Sequence, residues 1–321
     1  MYFWYNLNME KPNNMDKITK SESLKKFDLN FVGIGEEKVC FETRGSTKKL
    51  IKVNIDILKR KIMDIVNNKD RNSSFEEYQT ELMNENIEQE KTIREIFGDA
   101  HVLKNGYFHS KIPLDKELII QIMGKTFEHF ITDKKYETEM IMQTQIIAEE
   151  LKNPDVYQTE DYSTGLITHD DFRNSKNIEE GLHKIENIVD KEFIDLMKEK
   201  IKENKFSKTI KEITENIIAY TKKTGQMIDI FGPNNITMFI DKDGNANYHL
   251  IDVLLPGSIN GWNFNIKDDK NLELLRHCYT YYYSIKRLAD ELKIEDNLKP
   301  QDLIYFKDNK LPSGNWYNRE S

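Results

Sequence analysis

The chain has 321 residues, 38% hydrophobic and 32% charged, with a formal net charge of -8. That length accommodates two lobes, each with its own core. The acidic balance argues against a general nucleic-acid binder, which needs a basic footprint, and leaves room only for a local basic patch; the apolar runs fall far short of the ~20 residues of a membrane span.

Two cysteines, Cys40 and Cys278, are too few for a disulfide framework and read as reduced core residues. The opening Met1-Tyr-Phe-Trp-Tyr5 is followed by the acidic Glu10. It has no basic region and no small-residue cleavage site, so no secretory signal is expected and the cytoplasm is the expected compartment. Residues 1–24 are expected to be a loose tail. Residues 27–53 predict a β-meander. Phe27 to Val32 alternates, Gly33-Ile-Gly35 turns the chain, Val39 to Thr43 alternates again, and Leu50 to Val53 makes a third strand. Helical patterning then runs from Ile55 to Phe97 with a polar break over 67–74. Ser74 followed by Glu77 is a capping box for a helix over 75–97.

His101-Val-Leu103 and Tyr107 to Ile112 predict the next strand or hairpin arm. Asp115 reads as an N-cap, and Leu118, Ile119, Ile122, Met123, Phe127, Phe130 and Ile131 predict one helix over 115–131. Tyr136 to Ile147 alternates like a strand but is long enough for a helix. From 177 to 223 the pattern is helical, with Leu182, Ile185 and Ile188 on one stripe, Ile210, Ile213 and Ile217 on another, and Gly225 as a stop. Ile236 to Ile240 and Tyr248 to Ile251 flank an Asp-Gly turn and predict a hairpin. A last helix is predicted over 269–292.

The stretch from Gln226 to Asp252 carries the strongest chemical signal. It sets Asp229, the pair Asn234-Asn235 and Asp252 around one predicted hairpin. Metal-assisted phosphoryl transfer needs such a set: one acid to receive or orient the nucleophile's proton, and an amide oxygen with a second acid to hold Mg2+ on the phosphates. Each residue alone has an ordinary reading. Pro233-Asn-Asn235 is turn chemistry, and an Asp at a strand end is common. Seven histidines show no close metal-ligand spacing, and no Gly-x-Ser-x-Gly occurs. Tyr279-Thr-Tyr-Tyr-Tyr283 splits by helical spacing over core and rim, which favours packing over a stacking platform.

A small N-terminal sheet with one main helix, followed by a helical half carrying a hairpin, resembles the protein-kinase-like fold. The order of signals over 31–292 resembles it too. Gly33-Ile-Gly35 is similar to the glycine-rich loop that covers phosphates, where bare glycines let backbone N–H groups approach. Lys52 matches the strand lysine that binds phosphates, and Glu90 its helix partner, with Glu88 and Glu95 as competitors. Asp229 matches the catalytic-loop aspartate, Asn235 (in preference to Asn234) the metal-binding asparagine, and Asp252 the metal-chelating aspartate. Lys38 replaces the third loop glycine, Met227-Ile228 replaces the usual His-Arg, and Asp252-Val-Leu lacks the usual glycine. The last departure leans toward aminoglycoside-phosphotransferase-like kinases, which also vary there.

The resemblance implies an α+β, bilobal fold: a tail over 1–24, an N-lobe over 25–147 and a mostly helical C-lobe over 148–321. It implies ATP and Mg2+ as cofactors and phosphate transfer to a hydroxyl of a small molecule or protein. The alternative it leaves open is a pseudokinase, a nucleotide-binding or scaffolding protein. Neither nucleic acid nor membrane is expected as a partner.

Overall fold

The computed structural model describes residues 29–34, 38–43, 49–67, 72–131, 136–146, 159–161, 178–188, 201–202, 205–229, 235–251, 269–299 and 302–303. It is a mixed α+β structure that divides into two units, residues 1–91 with 103–152 and residues 92–102 with 153–321.

Unit one is built on β1 (Leu29–Ile34), β2 (Lys38–Thr43), β3 (Lys49–Asn54), β4 (Asn105–Leu114) and β5 (Tyr136–Ile146). They form an antiparallel five-stranded sheet in the order β1-β2-β3-β5-β4, so the last strand in sequence lies inside it. The segment open to both readings is thus a strand. Its alternation decides: Thr138, Met140, Met142 and Thr144 are buried on one face.

That face holds the core of the unit. Val39, Phe41, Ile51, Val53, Ile112, Met140 and Met142 pack against α1 (Ile55–Val66) and α3 (Lys116–Met123) through Ile57, Leu58, Ile62, Leu118, Ile119 and Ile122. Asn54 starts α1 by accepting from the Ile57 amide at 3.0 Å, and Asp115 starts α3 by accepting from the Leu118 amide at 2.8 Å.

The single helix predicted over 115–131 is corrected. Gly124 ends α3 with φ of 89°, a conformation that breaks the α-helix, and residues 125–130 continue as a 3-10 helix. The remaining helix, α2 (Asn72–Phe97), lies between β3 and β4 in the chain, and its residues from 92 onward belong to unit two.

Unit two contains α4 (Ile178–Ile188), α5 (Ser207–Thr224) and α6 (Asp269–Leu292), with a three-stranded sheet of β6 (Thr159–Asp161), β7 (Ile236–Ile240) and β8 (Ala246–Leu250) in the order β6-β7-β8. Its core joins Leu182 and Ile185 of α4, Ile210, Ile213 and Ile217 of α5, and Tyr279, Tyr282, Ile285 and Leu288 of α6. Ile93, Phe97 and Val102 join the same core. The turn after Phe97 is tied down by Arg94, whose guanidinium donates to the Val102 carbonyl at 3.1 Å. His101 stacks flat on Tyr248, with ring centroids 3.9 Å apart.

The β7–β8 connection is the predicted Asp-Gly turn. The Asp241 carboxylate accepts from the Asp243 and Asn245 amides at 3.0 and 2.8 Å, and Gly244 supplies φ of 81°. Among the described residues, no helix is long and apolar enough to cross a membrane.

Candidate functional site

The residues expected to act together fall into two groups, one in each unit. In unit one, Gly33 lies in β1 beside a bulge and pairs with Cys40, and a Cβ added there would meet no atom within 4 Å. The loop glycine Gly35 lies outside the described residues.

Lys52 is in β3, an interior strand flanked by β2 and β5, and is only 5% exposed. An edge-strand lysine in solvent is therefore not what the fold contains. Register fixes its face. Lys52 stands opposite Cys40 and Gln143, Gln143 opposite Tyr107, and Gln145 opposite Asn105. Paired residues share a face, and so do residues two apart on one strand. Lys52, Gln143, Gln145, Tyr107 and Asn105 thus line the face turned away from Met140 and Met142.

Glu90 comes to that face from α2. Its carboxylate accepts a 3.0 Å hydrogen bond from the Asn105 side-chain amide, and the residue is 2% exposed. The competing glutamates differ. Glu88 and Glu95 are 74% and 50% exposed in their side chains, and they pair with Lys91 at 3.9 Å and Lys223 at 2.6 Å. A lysine and a glutamate as deeply buried as Lys52 and Glu90 are costly unless partnered. Asn105 was not found by sequence reasoning. One asparagine before a strand carries no signal of which helix it will meet.

In unit two, the segment after α5 holds the second group. Gly225 caps α5 in the left-handed conformation (φ 70°) and donates its amide to the Thr221 carbonyl at 2.7 Å. The Tyr220 hydroxyl donates to Gln226 Oε1 at 3.1 Å. Burial pushes that phenol up to about 12, so it remains a donor. Met227 and Ile228 are buried in the core, which fixes the backbone just ahead of Asp229.

Asp229 is then held at two points. The Asn235 side-chain amide donates to its backbone carbonyl at 3.1 Å, and the Tyr281 hydroxyl of α6 donates to its carboxylate Oδ1 at 2.9 Å. Asn235 is 8% exposed, and its own backbone carbonyl accepts from the Ile251 amide at 2.8 Å. Asp229, Asn235 and the residue preceding Asp252 are therefore linked by hydrogen bonds. Asp252 and Asn234 lie outside the described residues.

Tyr281 is the second residue that sequence reasoning missed. The tyrosine cluster does pack, since Tyr279 and Tyr282 are in the core with centroids 6.1 Å apart. Its middle member also serves the loop. Because the Asn235 amide nitrogen is committed to Asp229, its Oδ1 is the atom suited to a hard cation. Among the described residues, no group of three or more His, Cys, Asp or Glu could hold a metal ion. Comparison with known proteins finds no match: no family model, no curated protein and no solved structure matches the chain.

Proposed function

We propose that this chain is an ATP- and Mg2+-dependent phosphotransferase of protein-kinase-like, bilobal fold, acting on a hydroxyl of a small molecule or protein. One observation carries the reading: the Asn235 side-chain amide grips the Asp229 carbonyl while the Asn235 backbone carbonyl holds the residue before Asp252. An acid and an amide are thus joined by hydrogen bonds to the residue that precedes the second acid in the chain. The five-stranded sheet, with α2 between β3 and β4, and the helix-rich second unit support it.

In this reading Asp229 orients the acceptor hydroxyl and takes its proton. The hydroxyl oxygen bonds to the γ-phosphorus, the bond to the bridging oxygen breaks, and ADP leaves with that electron pair. Lys52 neutralises phosphate charge and Glu90 holds Lys52. Asn235 Oδ1 and Asp252 fit Mg2+, which takes few protein oxygens and otherwise keeps water and phosphate ligands. Bound there, Mg2+ would supply charge neutralisation on the phosphates. The resemblance gives Gly33 and Gly35 the role of letting the backbone approach the nucleotide.

The test is a thermal-shift titration with ATP and Mg2+ on the wild type, Lys52→Ala and Asp252→Ala. A ligand that binds only the native state stabilises it by mass action. The expected result is a metal-dependent shift that both variants lose. No shift at millimolar ATP would refute the reading. The buried, apolar Met227-Ile228 ahead of Asp229 favours the alternative, a nucleotide-binding scaffold without turnover. That reading predicts the shift without ADP formation, whether water or an added hydroxyl compound is offered as acceptor.

A further inference from the structure

We propose that Tyr281 is the positioning residue for the carboxylate of Asp229, a proposal that rests on the phosphotransferase reading of that residue. A catalytic carboxylate must be oriented, and the two residues ahead of Asp229 cannot do it. Met227 and Ile228 are apolar and buried in the core. They fix the backbone, but their side chains offer no donor to a carboxylate oxygen.

The donor comes instead from α6, 52 residues further along the chain, where the Tyr281 hydroxyl meets Asp229 Oδ1 at 2.9 Å. A hydrogen bond onto an ionised carboxylate is among the stronger kinds. Its source is rigid. A phenol ring has only two side-chain torsions, and Tyr281 is 5% exposed. The helix beneath it is anchored by Tyr279, Tyr282, Ile285 and Leu288 in the core and by the Tyr282 hydroxyl, which donates to the Leu298 carbonyl at 3.1 Å. Asn235 fixes the backbone carbonyl of the same aspartate at 3.1 Å. Both ends of Asp229 are thus pinned by different elements, the main chain from the start of β7 and the carboxylate from α6. The bracing that the upstream pair would supply in the resembled family is supplied here from α6.

The experiment is ATP binding and ADP formation with Mg2+-ATP, water serving as the acceptor hydroxyl, on the wild type, Tyr281→Phe, Asp229→Asn and the double variant. Tyr281→Phe keeps the ring and its packing and removes only the donor. Its expected kcat is about ten- to a hundredfold lower, the scale set by a misplaced reacting group, with KM for ATP unchanged. In Asp229→Asn the added Tyr281→Phe change should cost nothing further, because it acts through the carboxylate. A purely structural tyrosine would instead lower both backgrounds alike. Equal kcat in Tyr281→Phe and wild type overturns the proposal and leaves the phosphotransferase reading standing. A wild type that binds no ATP overturns both. Binding without ADP formation overturns the positioning role, since there is then no catalytic Asp229 to orient.

Discussion

Lys52 and Glu90 make a quantitative test of unit one. Lys52 is 5% exposed, Glu90 is 2% exposed, and both are assigned to one face of the sheet by register and by the Asn105 hydrogen bond. In the proposed Lys52–Glu90 pairing, removing one member leaves the other charge desolvated, which costs about 3–5 kcal/mol. Lys52→Met should therefore destabilise by about that amount. So should Glu90→Gln, although the carbonyl of the substituted side chain can still accept from Asn105 at a neutral bond's ~0.5–1.5 kcal/mol. Independent effects would sum to roughly 6–10 kcal/mol. The double variant strands no charge, so its expected loss is no larger than that of either single variant, a coupling of at least about 3–5 kcal/mol. Urea unfolding of the four proteins, followed by circular dichroism, measures all the terms. If the two single losses simply add to within ~0.5 kcal/mol, the residues do not pair and the phosphate-binding role of Lys52 loses its support.

Asn235→Ala removes the side-chain bond to the Asp229 carbonyl. It should cost about 1 kcal/mol of stability and abolish the metal-dependent ATP shift, whereas an undiminished shift would separate Asn235 from the site. Gly225→Ala places a Cβ at φ of 70° and should destabilise by roughly 1–2 kcal/mol in thermal unfolding. An unchanged midpoint would count against the left-handed cap. Burial raises the phenol of Tyr220 from 10.0 to about 12, and burial with the nearby Glu186 charge raises that of Tyr283 to about 12. A folded pKa above the unfolded one means stability is fully present below pH 10 and lost as pH rises toward 12. Alkaline titration should show part of the tyrosine absorbance change arriving together with unfolding. A single non-cooperative titration near the free phenol value would contradict it.

Legibility in the sequence followed from how local each determinant is. Helix α6 spans Asp269–Leu292, the predicted range, because its apolar stripe repeats within one element. The Asp-Gly turn fixed the β7–β8 hairpin for the same reason. The continuous helix over 115–131 failed because Phe127 and Phe130 keep helical spacing in a 3-10 helix too, and the positive-φ Gly124 interrupts without disturbing the pattern. Long-range partners were invisible. Nothing near Lys52 announces that β5 will flank β3 and bury it, and nothing near Tyr281 marks it, among four tyrosines in five residues, as the one that meets Asp229. Asn105 is the same case, a residue whose meaning lies in the helix that it touches.

The insertion of β5 between β3 and β4 has a consequence for the order of assembly. The β1–β2–β3 meander and the β4–β5 pair each join strands close in the chain, but β3 meets β5 only across roughly ninety residues. As the chain emerges from the ribosome, the meander is complete long before the strand that flanks it exists. Until Ile146 has been made, the outer edge of β3 has no β-partner and Lys52 sits at a rim, open to water. Long-range pairing of this kind is slow in general, and a strand edge left unpaired is open to other chains.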